Sequence, residues 1–353
     1  MRRFFCGCGN TLFFGSVRCL SCRREVGYDP VSQALHPLPE APSLKRCGNG
    51  VQHGVCNWLL DSTSKERLCV ACRMNQIVPD LSRDRNKLLW SRMESAKRRL
   101  IYSLLGLGIP LPNKAESPVD GLAFEIMSTI LNPSVSTGHL NGIITVNLEE
   151  ADDTYRQINR QMFGERSRTL LGHFRHESGH YLWARFISKL PSQDPQRLAF
   201  RETFGQDWRD YGIALSDYYR LGPPPDWSQR FISSYSASHP WEDWAETWSH
   251  YLQMVDGLET CSAMGIQTQH LNLPLVTLPV HAGFLSTHLK SSLQEDEAFL
   301  AMVQRWICVS TVLNEVADSF GEAHLYPFVI SVPIAQKLRL VHYFAGLWGR
   351  GGR

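Results

Sequence analysis

Between Arg83 and Leu105, the residues Leu88, Leu89, Met93, Ala96, Leu100, Ile101, Leu104 and Leu105 trace one helical stripe of apolar positions, and Arg92, Lys97, Arg98 and Arg99 fall largely off it. The spacing predicts a long helix with a solvated basic face, ended by the stretch from Gly106 to Pro112. Leu170, Leu171, Phe174, Leu182 and Phe186 mark the buried side of a second helix. Two further helical patterns lie at the rear, one through Phe299, Leu300, Met302, Val303, Trp306, Ile307 and Val312, the other through Ile334, Leu338, Val341 and Phe344. The segment from Gly138 to Leu148 is β-branched in its middle and predicts a single strand, with a helix start after it at Glu149 to Asp152. Such a strand could pair with extended substrate or serve structure alone. Gly349 to Arg353 hold too little apolar material to pack and are expected as a mobile tail.

Ahead of Arg83 the pattern is set by cysteine. Eight of the ten cysteines lie in the first 72 residues. Cys6, Cys8, Cys19 and Cys22 read C-x-C-x10-C-x2-C, and Cys47, Cys56, Cys69 and Cys72 read C-x8-C-x12-C-x2-C. Each set supplies four thiolates, enough to close a tetrahedral shell around a structural zinc ion. The proline-rich stretch from Pro30 to Lys45 reads as a linker between two small zinc lobes. His53 reads as surface, and Cys261 and Cys308 as buried free thiols.

Composition narrows the class. At 353 residues, 43% hydrophobic and 20% charged, the chain is a folded one of two or three domains, which excludes collagen-like, coiled-coil and wholly disordered proteins. No run approaches the roughly 18–20 apolar residues of a membrane helix. The opening MRRFFCGCGN has no apolar run before Cys6, so a cytoplasmic location is expected. The net charge of +2 conceals an asymmetry: residues 1–106 carry 17 Lys and Arg against 8 Asp and Glu, and the remainder 19 against 26. A basic front could meet a nucleic-acid or protein partner.

The chemistry sits in two blocks. His176-Glu177-Ser178-Gly179-His180 is an H-E-x-x-H pattern; on a helix its two histidines share one face and can both address one ion, while Glu177 can reach metal-bound water as general base. Zinc would bring that water's pKa toward about 7. The third ligand must come from elsewhere, and His239 to His250 is the best source. Pro240 suits a first helical turn, and Glu242 and Glu246 are spaced to face the metal helix together. Glu242 is assigned as ligand and Glu246 as the acceptor that orients a ligand imidazole, with the reverse assignment open. Asp243 and His250 have weaker claims, and Trp241, Trp244 and Trp248 read as core. An oxyanion donor is also needed. Tyr235 and His239 are the nearest candidates, with His173 and Arg175 flanking the first block.

These words resemble a family of bacterial zinc-binding metallopeptidases with an N-terminal zinc-ribbon domain. The resemblance rests on Phe5 to Asn10, Cys56-Asn57-Trp58, Glu94 to Leu100, Arg168 to Glu177 and His239 to Trp248. It implies a cytoplasmic, gluzincin-like peptidase with His176, His180 and a carboxylate of the second block as ligands and Glu177 as base. The expected fold class is α+β: a small double zinc-ribbon module, then a mostly helical zincin-like domain with a short sheet. The expected domains are the ribbons at 1–80, a connecting helix at 81–112, the catalytic domain at 113–275, a helical cap at 276–348 and the tail at 349–353. One catalytic and two structural zinc ions are expected, with a peptide or protein substrate. The competing function is a zinc-ribbon protein that binds nucleic acid or protein and carries a non-catalytic metal site.

Overall fold

The computed structural model describes the chain apart from residues 1, 131, 134, 164–168, 272, 274–277, 280–283 and 352–353. Arg168, Gly352 and Arg353, used above, lie outside the described residues. The fold is α+β, small sheets and ribbons in front of a mostly helical remainder. Among the described residues no helix is long and apolar enough to cross a membrane.

The chain divides into two compact units, Met1–Gly106 with Leu111–Gly164 and Thr169–Phe174, and Leu107–Pro110 with Glu165–Arg168 and Arg175–Arg353. These cut the chain differently from the domain boundaries read in the sequence, because the sheet after residue 113 takes one of its strands from the ribbon module.

In the first unit, β1 (Phe4–Phe5) and β2 (Thr11–Leu12) form a hairpin that carries Cys6 and Cys8, and Cys19 and Cys22 close the set. Then come β3 (Val26–Asp29), β4 (Ala34–Pro37), β5 (Leu44–Arg46), α1 (Gly48–His53), β6 (Leu59–Asp61) and α2 (Val70–Arg73). Each set of four sulfurs gathers within 4.8 Å, and all are free thiols. Cys6 and Cys22 stand 3.5 Å apart, and Cys8–Cys19 and Cys56–Cys69 3.7 Å apart. A tetrahedron of thiolates about 2.3 Å from zinc has edges of about 3.8 Å, so these spacings suit an ion and are far too long for disulfides. His53 stands outside the Cys47 set, its ring 5.5 Å from that of Trp90.

Two expectations fail here for local reasons. The Pro30 to Lys45 stretch is not a linker: β3 and β4 pair antiparallel across it, followed by a 3-10 turn at Leu38–Glu40. Asp29 makes the bend, its carboxylate accepting from the backbone N–H of Val31 at 3.1 Å and of Ser32 at 3.0 Å. The strand expected from Gly138 to Leu148 is two: β9 (Gly138–Leu140) and β10 (Ile143–Asn147) pair antiparallel around Asn141 (φ 50°) and Gly142 (φ 81°). Both turn residues need positive φ, which Asn-Gly supplies at low cost. With β7 (Asn75–Ile77) and β8 (Ala123–Met127) they make a four-stranded sheet, ordered β7-β8-β10-β9. A 3-10 turn at Leu148–Ala151 and α4 (Asp153–Phe163) follow.

The predicted long helix is α3 (Asp84–Gly106), but its basic face is not all solvated. Lys97 is fully buried and Arg98 nearly so. Glu94, equally buried, compensates: its carboxylate accepts from Lys97 at 2.8 Å, Asn75 at 2.8 Å and the Trp90 indole at 3.1 Å. Arg98 donates to the Val55 carbonyl at 2.5 Å. A buried ammonium persists only when paired in this way. The periodic stripe could not reveal a charge that finds its partner inside the core.

In the second unit α5 (Leu170–Phe186), which begins in the first, is followed by α6 (Pro195–Phe204), α7 (Tyr211–Leu221), α8 (Trp227–Arg230), α9 (Pro240–Ala263), α10 (Leu293–Ser319) and α11 (Val332–Arg350). Aromatic rings fill the core around α9: Trp244 lies 6.2 Å from Trp248, 6.0 Å from Phe200 and Trp348, and 5.9 Å from Phe344. Helix α11 runs through Gly349 and Arg350, so those two residues belong to it and not to a tail; Gly349 is buried. Cys261 and Cys308 are buried thiols.

His342 on α11 accepts a hydrogen bond at Nδ1 from the Tyr251 hydroxyl (2.9 Å), and burial followed by nearby Arg339 lowers its pKa to about 4. Below the ordinary histidine value of about 6.5 the unfolded chain takes a proton that the folded one refuses, so stability falls as pH drops from there toward 4. Wild type should lose about 2 kcal/mol relative to His342→Gln between pH 7 and pH 5, read from urea unfolding. Parallel pH profiles would contradict this.

The two cysteine sets differ in exposure: Cys8 is exposed and Cys22 half-buried, whereas Cys47, Cys56, Cys69 and Cys72 are all buried. With a chelator present, alkylation followed by peptide mass analysis should mark Cys8 and Cys22 well before any member of the second set. Equal labelling would contradict that order.

Candidate metal centre

The first block lies on α5 and the second opens α9, both within the second unit for the residues concerned. Where the helices cross, position 179 has no room for a side chain. A Cβ on Gly179 would stand 2.9 Å from the Ala245 Cα and 3.2 Å from Trp248 atoms. The contact is then stitched by hydrogen bonds: the Trp244 indole donates to the Gly179 carbonyl at 2.9 Å, and the Trp248 indole to the Ser178 hydroxyl at 3.0 Å. Thus the two interior positions of the H-E-x-x-H pattern, Ser178 and Gly179, seat α9 against α5. Arg175 pairs with Asp256 at 2.5 Å, tying the same helices further along.

This crossing brings the donor atoms together. His176 Nε2 and His180 Nε2 are 3.1 Å apart; Glu242 Oε2 is 3.0 Å from the first, and Oε1 is 3.4 Å from the second. A tetrahedral shell with bonds of about 2.0–2.1 Å has edges of about 3.3 Å, so this N, N, O set fits a zinc ion. Glu242 is essentially buried, and its Oε2 has no hydrogen-bond partner. His180 Nδ1 is likewise without one, its ring packed 4.2 Å from that of Trp241.

Glu246, one turn beyond Glu242, lies 2.7 Å from His176 Nδ1. Holding the proton on Nδ1 leaves the Nε2 lone pair to face the other donors. Burial opposes charge on all these groups, yet their partners decide the outcome. The neighbouring carboxylates of Glu242 and Glu246 raise His176 well above its ordinary value, and His176 lowers Glu246 to about 2. Glu242 is held well below the carboxylate range by His180 and His176. Glu177 differs: burial dominates and raises its pKa, and its Oε2 has no hydrogen-bond partner.

The other expected residues separate. Both nitrogens of His239 are engaged: Nδ1 accepts from the Trp241 N–H at 3.0 Å, capping α9, and Nε2 donates to the Arg209 carbonyl at 3.0 Å. Both nitrogens are thus taken up by partners within the protein. Asp243 turns away to Lys337 at 2.6 Å, and His250 to Tyr326 at 3.2 Å. His173 lies 3.8 Å from Glu150 in the first unit. The Tyr235 ring is 6.3 Å from that of His176. Sequence reasoning missed Tyr211, whose hydroxyl donates to Glu242 Oε1 at 2.7 Å; thirty residues of intervening chain carry no spacing signal for it.

The chain's relationships agree with this chemistry. Residues 86–344 match the model of a family described as "Putative zinc-binding metallo-peptidase". The chain belongs to that family. Residues 3–83 match a zinc-ribbon domain. Uncharacterised proteins of Mycobacterium tuberculosis and Mycobacterium bovis are 37% identical to it over 343 residues, covering 97% of this chain and 94% of theirs. No solved structure matches the chain. The family description and the two cysteine sets together support zinc.

Replacing Gly179 with Ala tests the crossing. The added methyl meets backbone, which cannot swing aside, so Gly179→Ala should lower unfolding stability by about 1–3 kcal/mol and loosen metal binding at His176 and His180. Denaturant titration and metal competition on the variant measure the two effects; wild-type values for both would refute the account.

Proposed function

We propose that the protein is a zinc-dependent peptidase whose catalytic ion is held by His176, His180 and Glu242, with two structural ions in the cysteine sets. The mutual spacing of the two Nε2 atoms and the Glu242 carboxylate carries this reading. Zinc bound there would supply a Lewis acid that polarises a peptide carbonyl and acidifies water.

The chain's own residues do the remainder. Glu177 takes the proton of the attacking water on its carboxylate and passes it to the leaving amine. Burial suits it to this double role, because a raised pKa makes the carboxylate a stronger base while its acid form can still protonate the departing amine. Glu246 keeps His176 in one tautomer and orientation. Tyr235 remains protonated, since burial raises its pKa beyond the ordinary tyrosine value, and is the group assigned to hydrogen-bond the developing oxyanion. The substrate class is a peptide or protein, and the ribbon module, basic toward its front, is assigned to partner recruitment.

Elemental analysis of the full chain should give three zinc ions, falling to two in His176→Ala/His180→Ala. Glu177→Gln should retain three and lose at least about 100-fold in peptide hydrolysis. Hydrolysis undiminished in Glu177→Gln would sink the catalytic reading and favour a binding role for the rear domain.

A further inference from the structure

Glu242 has two oxygens, and the structure treats them differently. Oε1 accepts from the Tyr211 hydroxyl at 2.7 Å, while Oε2 has no hydrogen-bond partner and lies 3.0 Å from His176 Nε2. Tyr211 comes from the first turn of α7, where Asp210 caps the helix by accepting from the Ile213 N–H at 2.8 Å. Its ring is boxed by the start of α9, 5.3 Å from His239 and 5.5 Å from Trp241.

We infer that Tyr211 is a positioning residue: its hydroxyl occupies Oε1, which lies 3.4 Å from His180 Nε2, and so holds Glu242 as a one-oxygen donor with Oε2 presented 3.0 Å from His176 Nε2. The inference rests on the metal reading proposed above. Turning the carboxylate to offer both oxygens would break the Tyr211 bond and strand a buried hydroxyl, so that bond penalises the alternative orientation. The same bond withdraws charge from Oε1 and leaves Oε2 as the oxygen with free lone pairs. Groups that orient a ligand in this manner commonly change metal affinity by about 10–100-fold when removed.

The test uses the full chain and Tyr211→Phe, which keeps the ring and deletes only the hydroxyl. Tyr218→Phe is the control, because Tyr218 lies on the same helix with its ring 5.9 Å from Tyr235. Three quantities are read: zinc affinity of the rear site by chelator competition, the visible spectrum of cobalt(II) there after subtracting that of His176→Ala/His180→Ala, and unfolding of the metal-stripped proteins. Tyr211→Phe should weaken zinc by about 10–100-fold and shift the cobalt band, while unfolding of the stripped protein falls only by the cost of one lost buried hydrogen bond. Tyr218→Phe should match wild type throughout. Wild-type affinity and spectrum in Tyr211→Phe would overturn the inference while leaving the metal site intact, and equal weakening in both variants would reduce Tyr211 to packing. A wild type that holds no ion at the rear site would overturn the metal reading and this inference together.

Discussion

The close crossing of α5 and α9 is the constraint on which the centre depends. Imidazole and carboxylate reach only so far, and three donors on two helices meet within 3.4 Å only if the backbones nearly touch. Gly179 against Ala245 permits that approach, and the two tryptophan indoles bonded to Gly179 and Ser178 fix its register. The aromatic core around Trp244 and Trp248 then holds α9 from behind. Packing supplies the rigidity, and the hydrogen bonds from indole to helix supply the angle. A larger residue at position 179 would move every donor of the second block at once.

Electrostatics explains why so many acids can be buried together. Glu242, Asp243, Glu246 and Glu177 lie in or near one short region, which bare repulsion and desolvation would make untenable. Each has a distinct answer. Asp243 is paired with Lys337, Glu246 with the His176 imidazole, and Glu242 with both histidines and the Tyr211 hydroxyl. Glu177 keeps one oxygen without a hydrogen-bond partner, and burial raises its pKa. A divalent cation among the donors would offset the remaining negative charge. The first unit uses the same logic, where Glu94 compensates Lys97 inside the core next to Cys72 of the second cysteine set.

Much of this was legible in the residues. The cysteine spacings named both clusters that the structure gathers, the H-E-x-x-H pattern named the two clustered histidines, and the opening of α9 named Glu242 beside them. In each case the signal is short-range: ligand spacing on one turn, a proline at a helix start, acids near the positive end of a helix. The hairpin at Asn141-Gly142 was legible too, since that dipeptide is a turn signal, but the β-branched run around it masked the break. The Pro30 to Lys45 hairpin was hidden for the opposite reason, because prolines at strand ends look like those of a linker.

What the sequence by itself determined is the donor chemistry and the secondary structure that carries it, because both depend on neighbours a few residues apart. Tertiary structure alone decided which oxygen of Glu242 accepts from Tyr211, that His239 caps α9, that Lys97 is a core residue, and that Tyr211 reaches Glu242. Each of those depends on a partner brought close only by packing. A hydroxyl at position 211 carries no mark of the carboxylate at 242 until α7 and α9 are side by side, since nothing local in the chain encodes a distance between helices.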